Sequence, residues 1–290
     1  MTARDALLVV NPASRLGARQ RAVSRIAEIL GGGGWRIRTR ATAAPGHASA
    51  LAREAAEAGA GAVFVLGGDG TLREAAAGLL GSPVPLGFLP GGTAGVMALA
   101  LGLPRDPFRA ATALRRARPH PIDVGRCGDE TFLMQVSTGL DAFVLGRLRQ
   151  GLKRRLGRAA VGLTAAVVAP AYPFPRVELE VDGRRREGLF AAVCNIPLYG
   201  GGWRMISEAR PDDRRLDLLL FRGRGRWATA GFVRDLFLIR RHRRRADVEV
   251  LPVRERVEIL ASSRAPVQID GDALAGAPPW EIALAPERLQ

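Results

Sequence analysis

The sequence predicts an α/β protein in which an amino-terminal parallel α/β domain is followed by a β-rich domain. An apolar run at residues 63–66 stops at the turn Gly67-Gly68-Asp69-Gly70-Thr71, after which apolar residues recur at helical spacing. Similar strand-to-helix turns follow Val10 and Leu89, as expected for parallel strands that are covered by helices. Beyond Asp123, short alternating segments replace this pattern, so we expect two domains.

The spacing of apolar residues predicts each element of the first domain. Residues 6–10 are all apolar and predict a buried strand, whereas residues 35–39 alternate with arginine, as in a half-buried strand. A helix is expected after each of them, the first ending before the four glycines at 31–34 and the second opening at Pro45-Gly46-His47-Ala48. The run at 63–66, a helix after Thr71, a fourth strand at 85–89 and a helix at 96–101 complete the alternation.

The second domain is expected to consist of antiparallel strands. Residues 177–181 alternate between aliphatic residues and glutamate and precede Asp182-Gly183, so we predict a hairpin whose returning strand is 189–194. Further strands are predicted at 216–221, 247–251, 257–260 and 267–269. We therefore divide the chain into domains at 1–123 and 124–290, and the last residues are expected to be able to pack back on the first domain.

The central turn has the composition of a phosphate-binding loop. Its glycines let the backbone bend sharply and bring bare N–H groups close to an anion, and the helix that follows adds its partial positive charge. Asp69 lies inside this loop, where a carboxylate can hold a phosphate-bound metal ion or receive a proton. An Asp-Gly hairpin turn is the alternative, but the helical residues after Thr71 leave no second strand. Because ligands bind at the carboxyl ends of parallel strands, a nucleotide site is expected there.

Composition narrows the choice of partners. The formal net charge of +15 suits an acidic partner, such as nucleic acid, an anionic membrane or a polyphosphate. An aromatic content of 6% and the lack of a zinc-finger or RNA-recognition signature argue against nucleic acid. Lys153 is the only lysine and lies outside any G-x-x-x-x-G-K-[ST] motif, which excludes the phosphate sites of P-loop enzymes and protein kinases.

The chain is expected to be cytoplasmic. Its start has an apolar core too short for a secretory signal, and no apolar run approaches the roughly 20 residues that span a bilayer. The two cysteines and three histidines lack zinc-ligand spacing. An amphipathic stretch at 227–245 runs into Arg240-Arg241-His242-Arg243-Arg244-Arg245, which is expected either to contact an anionic membrane peripherally or to form a solvated helix end.

Seven motifs, in order along nearly the whole chain, resemble the diacylglycerol kinase catalytic-domain family. This family of lipid kinases includes soluble bacterial diacylglycerol kinases and the sphingosine and ceramide kinases. The motifs are Asn11-Pro12-Ala13-Ser14, Thr42 with Gly46-His47-Ala48, Gly67-Gly68-Asp69-Gly70-Thr71, Pro90-Gly91-Gly92-Thr93, Asp123-Val124-Gly125, Asn195 with Tyr199-Gly200-Gly201-Gly202, and Ile269-Asp270-Gly271-Asp272. The resemblance implies a nucleotide domain related to phosphofructokinase and NAD kinase, a β-sandwich lipid domain, and an active site between them.

The resemblance also implies roles for individual residues. ATP would be surrounded by residues of the glycine-rich turns, namely Asn11, Pro12, Ala13, Ser14, Arg15, Thr42, Gly67, Gly68, Asp69, Gly70, Thr71, Leu72, Arg73 and Thr93. The family's acidic D-G-E motif falls on Asp270-Gly271-Asp272, so Asp272 would accept the proton, with Asp270 and Asp69 as further candidates for base or metal ligand. An ion near the family's D-G turn would be held by Asp213 and by backbone oxygens of Arg210 and Arg215.

Three residues depart from the family's pattern. Gly95 stands where the family usually has asparagine, which removes a side-chain amide. Asp272 replaces glutamate and shortens the base by one methylene, and Arg214 replaces the glycine of the D-G turn. A weakened or inactive kinase is therefore an alternative to an active one.

The function predicted from the sequence is the phosphorylation of a lipid hydroxyl, on a diacylglycerol-like or sphingoid substrate, by ATP with Mg²⁺. Backbone N–H groups and the metal ion neutralise the phosphates in such a transfer, and in-line positioning does most of the rest. An NAD kinase-like enzyme, which shares the central motif, and a non-catalytic nucleotide- or lipid-binding regulator are the alternatives. A lipid substrate and peripheral contact with an anionic membrane, without nucleic acid, are the expected interactions, and a homodimer is left open.

Overall fold

A computed structural model describes residues 4–92, 94–148, 164, 167–168, 171–200, 202–261 and 266–290 of the chain. The chain forms two compact units. Unit 1 comprises Met1–Ile122 together with Pro286–Gln290, and unit 2 comprises Asp123–Ala285.

Unit 1 is built on a four-stranded parallel sheet. Its strands are β1 (Arg4–Val10), β2 (Trp35–Ala41), β3 (Ala62–Gly67) and β4 (Leu86–Pro90), and they lie in the order β2-β1-β3-β4. Its helices are α1 (Gln20–Gly31), α2 (His47–Glu57), α3 (Asp69–Leu79), α4 (Val96–Ala100) and α5 (Pro107–Leu114). The four strands predicted from the sequence are therefore confirmed, with ends displaced by no more than two residues.

The central strands of this sheet are covered on both faces. All of β3 and the last five residues of β1 are buried, which explains why both read as continuous apolar runs rather than alternating ones. Val10 pairs with Leu66, and Leu66 pairs with Leu89, so the carboxyl ends of β1, β3 and β4 lie level with one another. The glycine-rich turns that follow these strands consequently start side by side.

Unit 2 contains two six-stranded sheets that form the predicted β-sandwich. One sheet has the order β14-β13-β10-β7-β16-β17 and the other β6-β5-β18-β15-β8-β9. The strands are β5 (Ile122–Cys127), β6 (Glu130–Phe132), β7 (Gln135–Thr138), β8 (Val177–Val181), β9 (Arg184–Gly188), β10 (Phe190–Cys194), β13 (Leu216–Phe221), β14 (Val248–Val253), β15 (Arg256–Ala261), β16 (Val267–Ile269), β17 (Asp272–Ala273) and β18 (Trp280–Leu289). A separate pair, β11 (Leu198–Tyr199) and β12 (Trp203–Arg204), forms a short ribbon. One apolar core is shared by the two sheets, with Val193 and Leu218 from the first packing with Leu179 and Val257 from the second.

Helical segments accompany these sheets in the described part of the chain. Helix α6 (Leu140–Leu145) packs on β16 and β17, and helix α7 (Gly225–Arg234) continues into a π-helical turn at Asp235–Ile239. None of the helices in the described part of the chain is long and apolar enough to cross a membrane.

The predicted hairpin after Val181 was wrong in its second strand. The strand that returns beside β8 is β9, whereas β10 lies in the other sheet between β7 and β13. Asp182 and Gly183 do form the two-residue turn, with φ values of 47° and 78°. Because β9 is an edge strand with mostly exposed arginine and glutamate side chains, it carries no apolar signal that would distinguish it from a loop.

Candidate functional site

The glycine-rich turns of unit 1 are tied together by backbone hydrogen bonds beyond the ends of the strands. The N–H of Asn11 donates to the carbonyl of Leu66 at 2.9 Å, and the N–H of Gly91 donates to the carbonyl of Gly67 at 2.7 Å. The N–H of Arg15 in turn donates to the carbonyl of Gly91 at 3.2 Å. Three turns that are far apart in the sequence therefore form one surface.

The turns after β3 and β4 approach so closely that a side chain at position 92 is excluded. A Cβ added to Gly92 would lie 2.8 Å from the Cα of Gly68, a distance that real Cβ atoms do not adopt. Gly92 is therefore required for backbone contact between the two turns. The part of the predicted site that falls on Thr93 lies outside the described residues.

Asn11 connects the first turn to helix α3 through its side chain. Its Nδ2 donates to Oγ1 of the buried Thr71 at 2.8 Å, and its Oδ1 accepts the N–H of Ala13 at 2.9 Å. Ser14 closes the same loop by accepting the N–H of Gly17 at 3.1 Å. The side chains of Asn11 and Ser14 thus shape the loop.

The remaining residues predicted around ATP differ in whether their side chains are exposed or buried. Pro12, Ala13 and Arg15 are exposed, and Thr42 joins the same edge because its N–H donates to the carbonyl of Val10 at 2.9 Å. The side chain of Leu72 is buried in the core, so only its backbone is available. Gly68 precedes helix α3, while Asp69, Gly70 and the half-buried Arg73 belong to its first turns.

Asp69 receives two backbone amides from the neighbouring helix. Its Oδ2 accepts the N–H of Val96 at 3.2 Å, and its Oδ1 accepts the N–H of Met97 at 3.1 Å. Burial raises the pKa of Asp69 above its ordinary value, while these hydrogen bonds act in the opposite direction. Each oxygen still has acceptor capacity, because a carboxylate has about four lone-pair sites. Asp69 therefore anchors helix α4.

Gly95 adopts the left-handed conformation immediately before helix α4. Its φ is 57° and its ψ is 43°, and an added Cβ would meet only the Cβ of Pro90, at 3.8 Å. Asparagine is the residue that tolerates this conformation best after glycine. The departure from the family's asparagine thus leaves the backbone conformation accessible to both residues, and what changes is the side-chain amide.

Asp270 in unit 2 is held by the backbone of strand β7 and the residues before it. Its Oδ2 accepts the N–H of Leu133 at 2.8 Å, and its Oδ1 accepts those of Met134 and Gln135, both at 2.9 Å. The residue itself is 8% exposed and has a φ of 49°. These contacts fix the position of the Asp270 carboxylate.

Asp272 follows at the start of β17 and differs from Asp270 in exposure. It is partly exposed and pairs with Ile269 across the turn that contains Asp270 and Gly271. The N–H of Gly271 donates to Oε1 of the fully buried Gln268 at 2.7 Å. Hydrogen bonds therefore hold this turn immediately before Asp272.

A side-chain network that the sequence analysis did not find lies behind this turn. Nε2 of Gln268 donates to Oγ of Ser137, and that hydroxyl donates to Oδ2 of Asp141 in a short hydrogen bond. Tyr199 also donates its hydroxyl to Oδ2 of Asp141, at 3.1 Å. Ser137 and Asp141 lie four positions apart in the sequence, on either side of Gly139, which has a φ of 128°.

Burial governs the ionisation of this network. It raises the pKa of Asp141, although the donors around the carboxylate oppose this shift. Burial and the charge of Asp141 together hold the pKa of Tyr199 well above its ordinary value, so its hydroxyl remains a donor. The network therefore links α6, β7, β11 and β16.

The D-G turn expected to hold an ion is surrounded by arginine. Oδ2 of Asp213 lies 3.7 Å from Nη2 of Arg215, and Arg210 forms an ion pair with Asp212 at 3.4 Å. Arg214 adopts a φ of 60°, as the glycine it replaces could, and its N–H donates to the buried Asp123 at 2.6 Å. Guanidinium groups next to the single expected carboxylate oppose cation binding, so these residues do not fit the ion and no step is derived through it.

No group of three histidine, cysteine, aspartate or glutamate side chains comes together to hold a metal ion within the ranges that the structure describes.

Asn195, which belongs to the family pattern, joins two segments of the backbone. Its Nδ2 donates to the carbonyls of Asp123 and Leu133 at 2.8 and 2.9 Å.

Comparison with known proteins covers both units. The family model described as "Diacylglycerol kinase catalytic domain" matches residues 5–127, and the model described as "YegS C-terminal NAD kinase beta sandwich-like domain" matches residues 134–290. A crystal structure of a diacylglycerol kinase from Bacillus anthracis superimposes with a TM-score of 0.73 at 21% identity, over 98% of this chain and 94% of that one. This likeness shows the fold.

Curated relatives extend over most of the chain. A Pseudomonas putida protein named "Probable lipid kinase YegS-like" is 32% identical over 284 residues, which are 96% of this chain and 91% of the relative. The "Diacylglycerol kinase" of Bacillus subtilis is 26% identical over 275 residues, with coverage of 93% and 90%. The match of both family models, the identity to the Pseudomonas protein and the shared order of motifs agree, and this chain accordingly belongs to the diacylglycerol kinase catalytic-domain family of lipid kinases.

Proposed function

We propose that this protein transfers the γ-phosphoryl group of ATP to the hydroxyl group of a lipid, of diacylglycerol-like or sphingoid type. The observation that carries the proposal is the convergence of three glycine-rich turns at one edge of the parallel sheet of unit 1. The backbone hydrogen bonds from Asn11 to Leu66 and from Gly91 to Gly67, together with the close approach of Gly68 and Gly92, define this surface. It supports a triphosphate site because bare backbone N–H groups and a helix start face the same region.

The residues of unit 1 bind and orient the nucleotide in this proposal. The first-turn N–H groups of helix α3 have no acceptor within the helix and are therefore suited to phosphate oxygens. Mg²⁺ bound to ATP would supply charge neutralisation on the phosphates, and Asp69 is the carboxylate that would hold it. Burial raises the pKa of Asp69, and a cation bound beside it would favour the ionised form.

Asp272 is the proton acceptor in this proposal. It is partly exposed and lies on a turn that is fixed by Asp270 on one side and by Gln268 on the other. A carboxylate in hydrogen-bond reach of the substrate hydroxyl removes its proton as the phosphoryl group arrives. Asp270 positions the turn, since its oxygens are engaged with three backbone amides.

Transfer of label from γ-³²P-ATP tests the proposal. The protein is incubated with an extracted lipid mixture or with NAD, and labelled products are separated and identified. We expect a labelled lipid and no labelled dinucleotide. A labelled dinucleotide would instead identify an NAD kinase-like enzyme, and ATP binding without any labelled product would identify a regulator.

Variants of Asp272 test its role in the same assay. Asp272→Asn is expected to lower the rate of lipid phosphorylation about 10²–10⁴-fold. Asp272→Glu, which restores the family's residue, is expected to retain activity, and Asp129→Asn serves as a matched control at an exposed position. Full activity of Asp272→Asn would contradict the assignment of the base.

A further inference from the structure

Three large apolar side chains are exposed around helix α7 and the π-helical turn. Trp227 is 80% exposed, Leu238 is 77% exposed and Ile239 is 46% exposed. Trp227 lies near the start of α7, while Leu238 and Ile239 close the π-helical turn. These are the most exposed large apolar residues in the described part of unit 2 apart from Val167, and they belong to one continuous segment.

The π-helical turn is the reason that Ile239 faces outward. Phe232 and Leu236 are buried at a spacing of four residues, and Ile239 follows at the position where an α-helix would place a third buried residue. A π-helical turn accommodates one more residue than an α-helical turn, so Ile239 is rotated away from the core. The winding of this turn thus adds an apolar residue to the surface.

The inner side of the same segment is firmly packed. The ring of Phe232 stacks on Phe221 with centroids 4.5 Å apart, and Phe237 contacts Trp203 edge-to-face at 5.0 Å. After the π-helical turn, Nε2 of the buried His242 is hydrogen-bonded to the carbonyl of Met205 at 2.8 Å. The segment that carries Trp227, Leu238 and Ile239 is therefore held in place by its buried side chains.

The structure divides the arginine run that follows into two groups. Arg245 is tied to Asp235 at 2.9 Å and to Asp247 at 2.8 Å, and Arg243 is paired with Glu208. By contrast, three exposed arginines make no ion pair with any described residue, namely Arg240, Arg241 and Arg244. The paired arginines fix the segment, and the three others carry net positive charge to solvent beside Leu238 and Ile239.

We propose that this surface docks the protein on an anionic lipid bilayer. Trp227, Leu238 and Ile239 would enter the boundary between headgroups and acyl chains, while Arg240, Arg241 and Arg244 would bind lipid phosphates. An indole ring and short apolar side chains next to cations are the combination that lies stably at a bilayer surface. The proposal rests on the proposed function, because a lipid kinase must reach a substrate that is held in a membrane.

Charge complementarity selects this occupant. A second copy of the chain would bring like-charged arginines together, at a chain net charge of +15. Nucleic acid would suit the arginines but would leave Leu238 and Ile239 without an apolar partner. An anionic bilayer offers acyl chains to the apolar residues and phosphates to the arginines.

Sedimentation of the protein with vesicles tests the docking surface without ATP. The vesicles contain phosphatidylcholine alone or phosphatidylcholine with 30% phosphatidylglycerol, and we expect binding only to the anionic vesicles, with an affinity that falls as salt is raised. A triple variant, R240Q/R241Q/R244Q, is expected to bind them about 100-fold more weakly, at about fivefold for each cation. The variant W227S/L238S is expected to weaken binding at least about tenfold.

Matched controls test whether the effect depends on this surface or only on the number of arginines and exposed apolar residues in the chain. R21Q/R116Q/R118Q removes the same charge from exposed arginines of unit 1, and L101S removes an exposed leucine there, so both are expected to bind vesicles like the wild type. Unchanged melting temperatures for all variants establish that they fold. Equal weakening by the test and control triples would overturn the proposal, and so would wild-type binding by both test variants.

A second assay keeps this proposal distinct from the proposed function. Phosphorylation of a short-chain, water-soluble diacylglycerol needs no docking, so the docking variants are expected to phosphorylate it at the wild-type rate. If the docking variants lose turnover of vesicle-bound lipid but keep turnover of the short-chain lipid, docking is supported. Wild-type vesicle binding with no phosphorylation of either lipid would contradict the proposed kinase activity and leave the docking surface supported.

Discussion

Replacing Gly92 with alanine is expected to impair ATP binding and catalysis. The added methyl group would lie 2.8 Å from the Cα of Gly68, which is backbone and has no flexible end to move aside. A methyl group added to Gly68 itself would lie 3.7 Å from the Cα of Gly92, an ordinary contact. The two glycines face each other, yet only one of them leaves no room for a side chain.

The difference between these two distances gives the size of the expected disturbance. To restore an ordinary contact in Gly92→Ala, the turns must separate by about 0.9 Å. Overpacking of this kind costs about 1–3 kcal/mol of the free energy of unfolding. A displacement of about 1 Å at a site that positions reacting groups costs about 100-fold in rate. We therefore expect kcat/KM to fall about 100-fold and the melting temperature to fall by several degrees.

Thermal unfolding with and without ATP, together with the label-transfer assay, measures both effects. For wild type, ATP at 100 times its Kd raises the free energy of unfolding by about 2.7 kcal/mol, and this increment is expected to shrink in Gly92→Ala. Gly68→Ala should keep the melting temperature of the wild type. Gly31→Ala, whose methyl group would meet nothing within 4 Å, controls for the loss of a glycine as such.

Two results would refute the reasoning. If Gly92→Ala keeps wild-type stability, ATP affinity and turnover, the close approach of the two turns does not shape the phosphate site. If Gly68→Ala and Gly92→Ala lose stability to the same degree, the contact between the turns is not limited by the geometry described.

Three further predictions concern single side chains. Asn11→Ala removes the hydrogen bond to Thr71 and the acceptor for Ala13, so we expect ATP affinity to fall about tenfold while unit 1 stays folded by circular dichroism; unchanged affinity would contradict this role. Gly95→Asn is expected to cost no more than about 1 kcal/mol in thermal unfolding and to retain ATP binding, and an unfolded variant would contradict the left-handed assignment. Because burial raises the pKa of Asp141, the folded state holds its proton more tightly, and the contribution of this group to the free energy of unfolding falls as the pH rises from the ordinary aspartate range through the raised pKa. Asp141→Asn removes this contribution, so the difference between variant and wild type in the free energy of urea unfolding is expected to change between pH 4 and 7, and a pH-independent difference would count against Asp141.

The parallel sheet of unit 1 could be predicted because its sequence signals are local. Strands β1 and β3 are buried on both faces and read as uninterrupted apolar runs, and each is followed by glycine before helical spacing begins. The start of helix α5 also has a local signal in the sequence. Asp106 caps it by accepting the N–H of Arg109 at 2.8 Å, and Pro107 occupies its first position.

The arrangement of unit 2 could not be predicted in the same way, since it depends on pairings distant in sequence. Strand β9 has the composition of a solvated loop and is a strand only because β8 lies beside it. The network of Gln268, Ser137 and Asp141 joins residues up to 131 positions apart. Polar residues of this kind carry no periodic signal, so only the fold shows that they meet.

The turn at Asp270-Gly271-Asp272 shows why two equal carboxylates cannot be assigned from sequence. Asp270, which has a φ of 49°, accepts three backbone N–H groups, while Asp272 begins β17 and is partly exposed. Because Gln268 and Asp270 fix the backbone on both sides, the shorter side chain of Asp272 has little freedom with which to compensate for the methylene that glutamate would add. The position of its carboxylate therefore depends on the turn, which Gln268 holds through the N–H of Gly271 and connects to the Ser137–Asp141 pair.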